Sequence, residues 1–142
     1  MSSVLSRKFS KMNSVDQKIA QYDPQLHQAL QTIRNMVHQV AQNTDGCGQI
    51  VEALKWGQIS FLTEKPKSGT TLRIDKNANG TLSLYVNCNS NMIAEASAHY
   101  PDVFTYVGAR EIVLPDDLSS VSAPLEHIIA KALIYHKNKR TK

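Results

Sequence analysis

The sequence predicts an α+β domain in which an antiparallel sheet is covered by an N-terminal and a C-terminal helix. Three observations point there. Two stretches, one near each end, repeat apolar residues at helical spacing. Between them lie several short runs that alternate apolar and polar residues. No strand–helix–strand repeat, G-x-G-x-x-G or P-loop interrupts that order. The 142 residues suit one domain with a real core, and 42% hydrophobic with 20% charged residues is an ordinary globular balance.

The first helix is read in "DPQLHQALQTIRNMVHQVAQ". Asp23 can cap it, and Pro24 suits its first position. Leu26, Leu30, Ile33, Val37 and Val40 recur at steps of four and three, giving one apolar seam. His27, Gln31, Arg34 and His38 fall on a different, polar face, on which His27 and His38 are expected to be solvated. His27 and His38 are three turns apart, roughly 16 Å, too far to share a metal. "NTDGCGQ" ends the helix. "IVEALKWG" reads as a short helical turn, with Glu52 and Lys55 an exposed pair one turn apart. "QISFLTE" reads as a strand and "EKPKSG" as a polar loop.

"TLRID" and "LSLYV" then form a hairpin. For Leu72, Ile74, Leu82, Leu84 and Val86 to share a face, opposed positions must sum to an even number, so the loop has odd length. Ala78, Asn79 and Gly80 supply it, with Gly80 in the left-handed conformation, and Ile74 faces Leu84. "MIAEASAHY" reads as a helix stopped by Pro101. "VFTYV" and "REIVL" read as strands on either side of Gly108. Pro124 opens the last helix, whose stripe of Leu125, Ile128, Ile129, Ala132 and Leu133 extends to about His136. The domain therefore spans residues 15–137, between a disordered basic leader (1–14) and a basic tail (138–142).

Composition narrows the function classes. No apolar run approaches the roughly 20 residues of a membrane helix, and "MSSVLSRKFSKMNSV" has no apolar block to make it a secretory signal. Two cysteines, Cys47 and Cys88, lie far apart with no C-x-x-C spacing, which fits free thiols in a cytoplasm and no zinc site. The net charge is +4, much of it in the two termini. The aromatic residues do not interleave with basic ones as a single-strand-binding platform requires, which argues against nucleic acid.

Four residues are singled out for chemistry. His136 lies in the middle of the last helix's apolar stripe, where it is either a core imidazole satisfied by a backbone carbonyl or a polar group lining a pocket. Arg110 shares parity with Ile112 and Leu114. It calls for a carboxylate such as Asp102 or Asp116, for an aromatic face, or for a bound anion. Cys88 shares the parity of Leu82, Leu84 and Val86, so a buried inert thiol is expected; as a nucleophile it would need His99 or His136 beside it. Trp56, the sole indole, is either a core anchor before a turn at Gly57 or a stacking floor for a ligand. The adjacent Asp116 and Asp117 lack a third ligand and do not by themselves make a cation site.

The stretches "EALKWGQISFLT", "TLRIDK", "LSLYVNCNSNMI", "YPDVFTYVGAREIVL" and "IIAKALIYH" occur in the order found in the YdhG-like proteins, a mostly uncharacterised bacterial family. The resemblance covers roughly Val15 to Lys137. Its most specific parts are Lys55-Trp56-Gly57, the strand ending in Cys88, Arg110 before an apolar strand, and Ala132-Leu133 with Tyr135-His136. Ile59 stands where such proteins usually have Pro, and Ala109 where an Asn often precedes the Arg. The resemblance implies a frataxin-like fold and an iron-chaperone role attached to some relatives, but no catalytic residues. Frataxin-like iron handling needs clustered carboxylates, whereas this first helix region offers only Asp16 and Asp23.

Together these readings favour a non-enzymatic binding module with no cofactor, iron being the alternative. Trp56, Cys88, Arg110 and His136 are expected to share a site between the sheet and the C-terminal helix. Its ligand would be a small anion or an acidic peptide of a protein partner. The oligomeric state is left open.

Overall fold

The computed structural model describes residues 14–87 and 90–136. Most of the basic leader, the basic tail and Cys88 lie outside the described residues. The chain is α+β, as the sequence predicts. Six antiparallel strands form one open sheet in the order β1-β2-β3-β4-β6-β5: β1 Gln49–Lys55, β2 Gln58–Glu64, β3 Leu72–Lys76, β4 Leu82–Tyr85, β5 Thr105–Val107 and β6 Glu111–Val113. The helices described are α1 Ser14–Gln21, α2 Pro24–Gln42, α3 Met92–His99 and α4 Ser122–Leu133. A 3₁₀ turn at Leu118–Val121, capped by the Asp117 carboxylate accepting the Ser119 N–H, leads into α4.

Register decides what the two sheet faces carry. Ile59 lies opposite Ile74, Phe61 opposite Leu72, Ile74 opposite Leu84, and Leu84 opposite Ile112. All are buried, and they belong to one cluster with Leu30, Ile33 and Val37 of α2 and Leu125, Ile128 and Ile129 of α4. Each fully buried side chain of this kind is worth about 1.5–3 kcal/mol, so a one-residue slip that turned a whole strand over is strongly disfavoured. The β3–β4 hairpin closes as the sequence predicts. The Gly80 N–H donates to Asn77 O at 3.0 Å, and Gly80 has φ 84°. The opposite face presents Leu62, Arg73, Ser83, Tyr85 and Glu111, whose positions alternate with the core residues.

Several expectations need correction. "IVEALK" is strand β1 rather than a helical turn, and α1 was not anticipated. Pro24 does open α2, but the Asp23 side chain makes no cap; its Oδ2 accepts from Lys76 Nζ at 2.7 Å. Nor is the polar face of α2 simply solvated: Arg34, His38 and His27 are engaged, although His38 keeps 42% of its side chain exposed. Glu52 sits on the core-facing side of β1, opposite Phe61, with its side chain 11% exposed. Arg34 grips it with two hydrogen bonds, Nε to Oε2 at 2.8 Å and Nη2 to Oε1 at 2.6 Å. His38 Nε2 donates to Oε2 at 2.6 Å. The third Arg34 bond, Nη1 to Asp16 Oδ1 at 2.6 Å, ties α1 to the same cluster. Burial alone would push the Glu52 carboxyl pKa up. The hydrogen bonds from Arg34 and His38, with their charge, outweigh it and hold the value below the ordinary one. His27 is also engaged, donating to Tyr22 O at 2.8 Å.

The last helix ends one turn early. The loop after β2 docks on the end of α4: the Thr70 N–H donates to Ala132 O at 2.9 Å, and Ser68 Oγ donates to Leu133 O at 2.7 Å. Carbonyls left unpaired at a helix end are thus satisfied by a neighbouring segment. Ile134 leaves helical geometry, at φ −121° and ψ 19°. The His136 N–H then donates back to Ser68 O at 2.9 Å. His136 therefore does not continue the apolar stripe. It is exposed, not a core histidine.

Candidate anion-binding groove

The loop that stops α4 also builds one wall of a groove of about 400 Å³, within the roughly 300–1,000 Å³ of small-molecule sites. Three of the residues singled out from sequence line it: Trp56, Arg110 and His136. They arrive from different parts of the fold. Trp56 is in the two-residue turn between β1 and β2, Arg110 precedes β6, and His136 follows α4. Lys55 and Arg73 add two more cations, and Thr70, Thr71 and Asn87 add polar atoms. Leu62, Arg73 and their neighbours belong to the sheet face opposite the core. The groove thus lies on that face and at the sheet's end, not between the sheet and the closing helix as the sequence reading placed it. Cys88, the fourth residue of that reading, lies outside the described residues.

The charge in the groove is one-sided. No carboxylate is among the described residues that line it, and the ion pairs formed among the described residues use Arg34, His38, Lys76 and Lys131, never Lys55, Arg73 or Arg110. Arg110 is exposed and pairs with neither Asp102 nor Asp116. The acids nearest in register on this face are engaged by uncharged donors. Asp75 accepts from Tyr22 Oη at 2.6 Å and from Gln58 Nε2 at 3.1 Å. Glu111 accepts from Ser83 Oγ at 2.7 Å and from Tyr85 Oη at 3.3 Å. Arg73, two residues before Asp75 in β3, keeps a buried Nε with no hydrogen-bond partner. A buried N–H left unpaired costs about 1–3 kcal/mol and calls for an explanation.

Trp56 overturns the core-anchor expectation: it is 91% exposed. It has φ 56° and Gly57 has φ 75°, with Lys55 paired to Gln58. These are the two left-handed positions of a type I′ hairpin turn, where Asn-Gly is the favoured pair and a bulky residue is an outlier. The indole is therefore held in a strained conformation and contributes no burial. Trp56→Asn should raise stability by roughly 0.5–1 kcal/mol. A lower thermal midpoint for that variant would show that the turn needs the indole.

Other features offer less. A wider groove of about 610 Å³ between α2 and residues 116–119 contains Asp116 and Asp117 but no cation. Cys47 is half-buried. Burial pushes its thiol pKa up, which disfavours the reactive thiolate even though a Ser68 hydrogen bond acts the other way. Among the described residues no group of three or more His, Cys, Asp or Glu is placed to hold a metal ion, and no helix is long and apolar enough to cross a membrane.

The residue that sequence reasoning missed is Arg73. In "TLRID" it is simply the outward member of an alternating strand, and nothing local says that its face is a binding wall. Comparisons with family models, curated proteins and solved structures find no match for this chain.

Proposed function

We propose that this chain is a binding module for a small anionic ligand, held in the groove by Arg73, Arg110 and Lys55. The polar atoms of Thr70, Thr71, Asn87 and His136 complete its hydrogen bonding. The observation that carries the reading is a groove lined by three cations, Lys55, Arg73 and Arg110, that form no ion pair among the described residues and have no carboxylate among the described residues lining it. An anion there meets several charge-assisted donors at once. The cleft size favours a small ligand over an acidic peptide, the other form the ligand could take. The resemblance to the YdhG-like proteins rests on the sequence stretches quoted above and implies no more here than the same α+β class. The iron role attached to some of them gains nothing from the residues that line this groove.

Calorimetric titration with inorganic tripolyphosphate tests the reading. Binding should weaken on the order of tenfold for Arg110→Ala and again for Arg73→Met, with no change in thermal midpoint for the exposed Arg110. Affinity that is undetectable, or indifferent to both substitutions, would reject it.

A further inference from the structure

We propose that the anion bound here carries an aromatic ring: the ligand is a nucleotide, its phosphates on Arg73 and Arg110 and its base stacked on Trp56. This rests on the anion-binding reading above and adds its ligand class.

Trp56 is the observation that carries it. A 91% exposed indole in a left-handed turn position serves no structural purpose that its neighbours reveal. Its side chain nonetheless borders the same groove as the unpaired cations. The ring contacts formed among the described residues do not include it, and the cation–π contact among them is Lys18 on Tyr22. Both faces of the indole are thus open to a ligand, and Lys55, Arg73 and Arg110 are not spent on it. Inorganic phosphate would use the cations and leave the indole idle. A neutral aromatic compound would use the indole and leave Lys55, Arg73 and Arg110 without a counter-charge. A planar base joined to phosphate satisfies both, and the roughly 400 Å³ of the groove accommodates one small molecule. Base–aromatic stacking tolerates any base, since each has a π-face, so discrimination among bases should be weak.

Trp56 is the sole tryptophan, so its emission reports on the site directly. The full-length chain is titrated with ATP, UTP and inorganic tripolyphosphate, with calorimetry in parallel. Both nucleotides should quench Trp56 and bind about tenfold more tightly than tripolyphosphate. Trp56→Ala should remove that excess, and Trp56→Phe should keep part of it. An unchanged thermal midpoint for Trp56→Ala establishes that the variant is folded. If ATP and tripolyphosphate bind equally, or Trp56→Ala leaves their ratio untouched, the nucleotide inference fails while the anion site stands. If neither binds, both readings fail.

Discussion

Gly69→Ala should be among the most damaging single substitutions in this protein, costing roughly 3 kcal/mol and lowering the thermal midpoint by about 10 °C. A Cβ at position 69 would lie 2.5 Å from both Ala132 O and Leu133 O and 2.6 Å from Leu133 C. These are backbone atoms at the end of α4, so no side-chain rotation relieves the clash. The loop cannot retreat cheaply either. The Gly69 N–H donates to Thr63 Oγ1 at 2.9 Å, and Ser68 Oγ, fully buried, both accepts the Gly48 N–H at 2.9 Å and donates to Leu133 O. Moving it would strand several buried polar groups at once. The same displacement shifts Thr70 and His136, so tripolyphosphate affinity should fall even under conditions where the variant is folded. A Gly69→Ala chain that melts within about 2 °C of the wild type would contradict the close docking of this loop.

That contact also explains where the sequence was legible and where it was not. The β3–β4 hairpin could be read because its information is local: alternation in "TLRID" and "LSLYV" sets parity, and Gly80 supplies the left-handed turn residue. The seam of α2 is local in the same sense, and Leu26, Leu30, Ile33 and Val37 are all buried. His136 was misplaced because a helical wheel has no knowledge of its own end. Hydrogen bonds from Ser68 and Thr70, more than 60 residues away in sequence, stop α4. Strand β1 was mistaken for a helical turn because Glu52 breaks its alternation, and the partners that let a carboxylate face the core are Arg34 and His38 on α2. Had Trp56-Gly57 been read as a two-residue turn, β1 would have extended backwards from Lys55, and the indole would have been placed at an exposed tip. Parity with Ile112 marks Arg110 as unusual but predicts the core-facing side, whereas Arg110 is exposed and lines a groove on the other face, because it lies in the turn before β6 rather than in the strand. Arg73 gave no signal, because an outward-facing arginine on an alternating strand is ordinary until its surroundings are known.

Glu52→Gln should destabilise the protein by about 2 kcal/mol at neutral pH and flatten its acid denaturation. Glu52 is 11% exposed and Arg34 14%, so removing the carboxylate charge leaves a largely buried guanidinium with a weaker acceptor. Burying this ion pair need not be a net gain over apolar residues, but breaking it by changing one partner is costly. The pH dependence follows from the direction of the Glu52 shift. Its folded pKa is depressed below the unfolded value, so the stabilisation is fully present above the ordinary glutamate range. It is lost as pH falls from about 5 down through the folded pKa. Glutamine has no proton to take up, so the variant should start less stable and lose less between pH 5 and pH 3. The loss should also be localised. Arg34 joins Glu52 to Asp16 of α1, so amide exchange over Ser14–Gln21 should accelerate more than exchange in β3 or β4. Parallel acid limbs for the two proteins, or equal midpoints at pH 7, would mean that α1 and β1 are held by the burial of Val15 and its apolar neighbours alone.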